Sequence, residues 1–177
     1  MPLFFFYRQE FNVKSIMVFL QCFKLKNEEI MKIDDTNIDI IRELKNGKKS
    51  FKRIADKLAI TENTVRSRVN NLQNEGILEI CGLVDPEKLP DHRVVVIGIK
   101  LSEMNLVEKG EEISKLKGVI SVSVVTGRFD LLVLVLFKKD FGLLEFYTEE
   151  ISKVVGIRSV ETFVVYKSYN LKVPYIF

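Results

Sequence analysis

The sequence predicts an α+β fold in two parts, a helix-turn-helix domain followed by a βαββαβ ferredoxin-like domain, on three observations. Between residues 34 and 76, three short stretches repeat apolar residues at helical spacing, and only three residues separate the second from the third. Beyond residue 94, apolar runs of strand length alternate with two helical patterns in the order βαββαβ. The net charge is only +3, yet eight basic residues face two acidic ones between positions 45 and 72.

The helices follow from caps and periodicity. Asp34 can cap a first helix that carries Ile40, Ile41 and Leu44 on one face and ends at Gly47. A second opens at Ser50, with Phe51, Ile54, Ala55 and Leu58 at i, i+3, i+4 and i+7. The turn Ala59-Ile60-Thr61 follows, Thr61 caps a third helix built on Val65, Val69 and Leu72, and Gly76 stops it. The outward face of this third helix presents Asn63, Thr64, Arg66, Ser67, Arg68, Asn70 and Asn71, with Thr61 at its head. Those side chains can reach base edges and phosphates, while Lys48, Lys49 and Lys52 just before can hold a phosphate backbone. A basic patch alone also suits a solvated face; joined to helix-turn-helix spacing it points to double-stranded DNA. Ile77 to Val84 then reads as a strand, and Asp85-Pro86 opens a linker.

In the second half, strands are expected at Val94 to Leu101, Val119 to Val125, Phe129 to Phe137 and Arg158 to Tyr166. Helices are expected at Leu106 to Leu116 and Phe141 to Val155, with Thr126-Gly127-Arg128 as the hairpin turn. In the third strand Phe129, Leu131, Val133, Val135 and Phe137 should face one way and Leu132, Leu134 and Leu136 the other, so both faces are apolar. Two helices cover one face of such a sheet. The other is expected to pack against a second copy of the chain, giving a homodimer.

Composition narrows the classes. With 177 residues, 47% of them hydrophobic, the chain suits one or two ordinary globular domains and no large enzyme. Two cysteines, Cys22 and Cys81, make neither a disulfide framework nor a zinc site, which points to a reducing, cytoplasmic setting. No cofactor or metal is expected. The apolar stretch from Phe4 to Phe23 is broken by Arg8, Gln9, Glu10, Asn12 and Lys14, short of the roughly 20 apolar residues that span a bilayer. No membrane partner is expected, and residues 1–30 read as an extension to the native fold, with Met31 as an alternative start.

Four segments in this order resemble the Lrp/AsnC (feast/famine) family of bacterial and archaeal transcription regulators: Ile33 to Leu44, Arg53 to Leu78, Val84 to Leu89 and Val125 to Val135. The resemblance implies a winged helix-turn-helix DNA-binding domain over 31–84, a linker over 85–93, and a ferredoxin-like effector-binding and oligomerisation domain over 94–177. It implies dimers that assemble further and a small effector, often an amino acid. It places that effector at Thr126, Gly127, Arg128 and Asp130, where the first two offer backbone amides to a ligand carboxylate and Asp130 accepts from its ammonium. The chain departs from the family pattern at Arg128-Phe129, at Ala59 where the turn often has Gly, and at Asn70-Asn71 where the pair is commonly basic.

Two other readings share parts of this pattern. RNA-recognition domains have the βαββαβ order, but Leu131 to Leu136 offers aliphatic residues and no stacking platform. Siroheme decarboxylases are similar in both domains, but they need histidine, and His92 is the one histidine here, expected in the linker and exposed to solvent.

Overall fold

A computed structural model of the chain describes residues 33–177 apart from 46 and 48, so the readings of residues 1–30 and of Lys48 lie outside the described residues. Two compact units divide between Cys81 and Gly82. In the first, each expected cap forms. Asp34 accepts from the Asn37 N–H at 2.8 Å and opens α1 (Asp35–Leu44). Ser50 accepts from the Arg53 N–H at 3.3 Å and opens α2 (Phe51–Leu58). Thr61 accepts from the Thr64 N–H at 3.1 Å and opens α3 (Glu62–Asn74). A side-chain oxygen there satisfies an N–H that the helix itself leaves without a partner.

Ile40, Ile54, Ala55, Val65 and Val69 form the core of this unit, with Leu44, Phe51, Leu58, Ile60 and Leu78 packed around them. The α2–α3 turn is tight because Ala59 adopts a left-handed conformation, φ 55°. Gly76, at φ 65°, reverses the chain after α3, and the N–H groups of Ile77 and Leu78 both donate to the Leu72 carbonyl.

The strand expected over Ile77 to Val84 is reduced to its last two residues, β1 (Leu83–Val84). Glu79 to Gly82 are exposed and, among the described residues, pair with no neighbouring strand, and an extended segment without a partner makes no ladder. β1 instead pairs antiparallel with β6 (Val173–Pro174) near the C-terminus. Residues 85–93 belong to the second unit and contain a 3₁₀ turn, Pro86–Lys88, whose Asp85 cap also pairs with Lys172 at 2.6 Å.

The second unit is built on four antiparallel strands in the order β3-β4-β2-β5, namely β2 (Arg93–Leu101), β3 (Val119–Val124), β4 (Leu131–Phe137) and β5 (Ile157–Val164). Helix α4 (Leu106–Ser114) joins β2 to β3. Helix α5 joins β4 to β5 with changing pitch: α-helical at Leu143–Glu145, π at Phe146–Glu150 and 3₁₀ at Ile151–Lys153. Val95, Ile97, Ile99, Leu131, Val133 and Val135 face Leu106, Ile113, Phe141, Phe146 and Ile151, forming the larger core.

The opposite face of the sheet departs from expectation in two places. Phe129 does not share a face with Leu131, because β4 begins only at Leu131 and the ring swings across to lie over Gly98. There it meets Phe163 edge-on at 5.7 Å between ring centroids. At the other end Leu136 is sealed by Val94 and Val173, with Leu171 and Val84 beside them. The chain thus covers both ends of this face, leaving Leu134 half-buried and Phe163 42% exposed.

Candidate functional site

Because Val65, Val69 and Leu72 bury one stripe of α3, the helix turns its other side to solvent. Asn63, Arg66, Ser67, Asn70 and Asn71 are exposed there, a row of amide, hydroxyl and guanidinium groups. Thr61 and Thr64 are occupied in part by the cap, since their hydroxyls also bond each other at 2.8 Å. Arg66 reaches Glu62 one turn back at 2.9 Å and lies 5.4 Å above the Phe51 ring, with more than half of its side chain open to solvent. Beside Phe51, Lys52 and Arg53 are exposed and among the described residues have no ion-pair partner. Arg53 lies outside the residues expected to contact DNA, although it belongs to the same basic run.

Two cations expected on this face are engaged elsewhere. Lys49 and Lys57 both pair with Glu43 of α1, and these two bonds, Lys49's first, hold the Glu43 carboxyl below its ordinary range. Arg68 points along the flank of the helix: its Nη1 donates to Asp34 Oδ1 at 2.8 Å, Asp34 Oδ2 at 2.7 Å and Asn37 Oδ1 at 2.9 Å. The Arg68 bond, followed by the Asn37 N–H, holds the Asp34 carboxyl below the usual range. Arg68 is therefore not a member of the outward row, because one residue beyond Ser67 the helix has turned back toward α1.

In the second unit, Gly127 at φ 129° carries the exposed turn between β3 and β4. Among the described residues, no acceptor is bonded to the N–H groups of Thr126 and Gly127. Arg128 pairs with Glu161 at 2.8 Å and lies 5.5 Å over the Phe129 ring. Asp130 is already engaged within the fold. Its Oδ1 accepts from Lys100 Nζ at 2.7 Å and its Oδ2 from the Leu101 N–H at 2.8 Å, locking the turn to β2. Each carboxylate oxygen retains a further lone pair.

His92 is half-buried rather than exposed, because its Nδ1 meets the Pro90 carbonyl at 2.7 Å and its ring packs on Tyr175. Among the described residues, its Nε2 is buried without a partner. Among the described residues, no helix is long and apolar enough to cross a membrane.

Comparison with known proteins bears on both units. Residues 33–79 match a winged helix-turn-helix DNA-binding model, and residues 94–173 match the Lrp/AsnC ligand binding domain. An HTH-type transcriptional regulator of Pyrococcus abyssi is 32% identical over 134 residues, covering 75% of this chain and 85% of its own. One from Pyrococcus horikoshii is 30% identical over 135 residues, covering 76% of this chain and 84% of its own. In fold, the chain is similar to E. coli AsnC, with TM-score 0.60 and 22% identity over 78% of this chain and 95% of that one. It is also similar to a Neisseria meningitidis transcriptional regulator in an L-Met complex, with TM-score 0.61 and 20% identity over 79% of this chain and 94% of that one. The Pyrococcus relatives are named as transcriptional regulators, which disfavours the decarboxylase reading. With a helix-turn-helix unit followed by the matching ligand-binding domain, the chain belongs to the Lrp/AsnC family of HTH-type transcriptional regulators.

Proposed function

We propose that the chain is a cytoplasmic, homo-oligomeric regulator that reads an operator in double-stranded DNA through the exposed face of α3. The observation that carries this is the row Asn63, Arg66, Ser67, Asn70 and Asn71, solvent-facing and flanked by Lys52 and Arg53, which are unpaired among the described residues. Amide and guanidinium groups on one helix side can contact adenine and guanine edges in the major groove. Lys52, Arg53 and Lys49, the last after leaving Glu43, supply phosphate contacts. Thr61 and Thr64 hold the helix start against the backbone, and Lys48 adds to the same basic run.

Dimers form through the apolar sheet face at Val96, Leu132, Leu134 and Phe163, since water otherwise meets a continuous apolar strip between the two self-covered ends. The effector is an amino acid or similar small metabolite. Its carboxylate is held by the N–H groups of Thr126 and Gly127, which bond no acceptor among the described residues, with Arg128 nearby, and its ammonium by the remaining lone pairs of Asp130. The match of 94–173 to a ligand-binding domain and the L-Met complex of the Neisseria relative support this reading.

The test is selection of bound duplexes from a random pool, with and without individual amino acids. Arg66→Ala should lower affinity by about 1–3 kcal/mol and relax preference at one base position, whereas Lys52→Ala should weaken all sequences alike and reduce the salt slope by about 1. Selection that enriches no duplex sinks the proposal.

A further inference from the structure

We infer that Arg68 is a positioning residue: it clamps α3 to the N-cap of α1 and so fixes the roll at which the exposed face of α3 is presented. The inference rests on the DNA-binding reading above and assigns Arg68 a role other than contact. The network is closed. Asp34 Oδ1 accepts from both the Asn37 N–H, at 2.8 Å, and Arg68 Nη1, at 2.8 Å, while Asn37 Oδ1 accepts from the same Nη1 at 2.9 Å. Asn37 is 4% exposed, the one buried polar side chain among the described residues, so its carbonyl needs the bond that Arg68 supplies.

α3 needs such a lock. Its buried side chains form a single stripe, Val65, Val69 and Leu72, and because apolar burial is non-directional it does not by itself fix the roll of the helix to within a few degrees. At about 100° per residue, Arg66 and Arg68 leave the helix on opposite flanks of that stripe. Arg66 stays over α2 with its side chain 56% exposed, whereas the Arg68 side chain is 32% exposed and bound to α1. A helix with side chains has a radius of about 5–6 Å, so a roll of about 15° moves a side-chain tip by about 1.5 Å. A displacement of that size ruins paired hydrogen bonds to a base edge.

The experiment compares the full chain with Arg68→Met and with Asp34→Ser, which keeps an N-cap oxygen but removes the carboxylate. The probes are a random-sequence duplex pool about three helical turns long and the duplex that wild type enriches from it. Both variants are expected to bind the enriched duplex about tenfold or more weakly, with the salt slope unchanged and no single base position relaxed. The double variant should bind within about twofold of either single one, since each breaks the same clamp. A slope reduced by about 1 would make Arg68 a phosphate contact, one relaxed position would make it a base reader, and wild-type affinity in Asp34→Ser would remove the clamp; each overturns the inference. Arg68→Lys, milder for folding, should fall between wild type and Arg68→Met, and wild-type binding by it counts against a lock that needs the reach of the guanidinium, whose Nη1 makes all three bonds. Amide exchange in α3 requires no DNA and separates the two readings. Faster exchange in Arg68→Met supports the clamp even if wild type enriches no duplex, and equal exchange overturns it whatever the binding result.

Discussion

Gly98 lies in the middle of β2 with its hydrogen atoms under the Phe129 ring, and replacing it by alanine tests how that side of the sheet is built. A Cβ there would sit 2.7 Å from Phe129 Cγ and Cδ1 and 2.8 Å from Cδ2. Carbon atoms settle at about 3.5–4.0 Å, so the overlap is close to 1 Å and falls on a ring, not on a flexible chain end. The ring must tilt away, losing its edge-on contact with Phe163 and pulling on the turn that carries Asp130. Overpacking of this kind costs about 1–3 kcal/mol. For a unit of about 100 residues that lowers the melting temperature by about 5–20 °C, read by calorimetry. Phe129→Ala should itself destabilise, but in the double variant the methyl occupies space the ring has left. The two costs should therefore fall short of additivity by about 1 kcal/mol or more. Gly98→Ala within about 0.5 kcal/mol of wild type, or strictly additive costs, would show that the ring does not depend on the bare backbone beneath it.

Two aspartate substitutions one residue apart should fail differently. Val133 is fully buried beneath the helices, so Val133→Asp should unfold the second unit, whereas Leu134→Asp should leave a folded single subunit in sedimentation; an unchanged dimer for Leu134→Asp removes that face as the interface. Ala59→Gly should raise stability by about 0.5–1 kcal/mol in urea unfolding, because a left-handed alanine costs about 1–2 kcal/mol and glycine returns part of this as unfolded-chain entropy. The Asp34, Glu43, Asp85 and Glu87 carboxyls are held below their ordinary values by Arg68, Lys49, Lys172 and Lys167 respectively. A depressed folded pKa contributes stability that is present above the ordinary value, 3.8 for Asp and 4.5 for Glu, and is lost as pH falls through the lowered one. The melting temperature should therefore decline below about pH 4.5, and Asp85→Asn should flatten part of that decline; a level profile would contradict it.

Much of this fold is legible in the sequence, and the reason is locality. Asp34, Ser50 and Thr61 cap the helices the spacing predicts, because capping is decided within three residues of the cap. Val65, Val69 and Leu72 are buried because one helix face must be. The order βαββαβ also survives, since period-two and period-3.6 patterns are written in neighbouring residues. What failed depended on partners distant in the chain. Ile77 to Val84 is apolar enough for a strand, but among the described residues no strand lies beside its first six residues. Phe129 continues the alternation of β4 on paper, yet a bare patch at Gly98, about thirty residues earlier, draws the ring to the other face.

Arg68 divides the two kinds of knowledge most sharply. From sequence alone it is one more arginine on a polar helix, equivalent to Arg66, and the helical wheel admits both to the outward row. Only folding brings Asp34 and Asn37, more than thirty residues away, within hydrogen-bond distance of its guanidinium. Which segments become helices and strands, and which of their faces are apolar, is written in the order of the residues, because short-range sterics, capping and periodicity make those choices. Which charged groups stay open to solvent and which are bound within the fold is settled by packing, because ion pairing depends on distances that exist only once the chain has closed on itself.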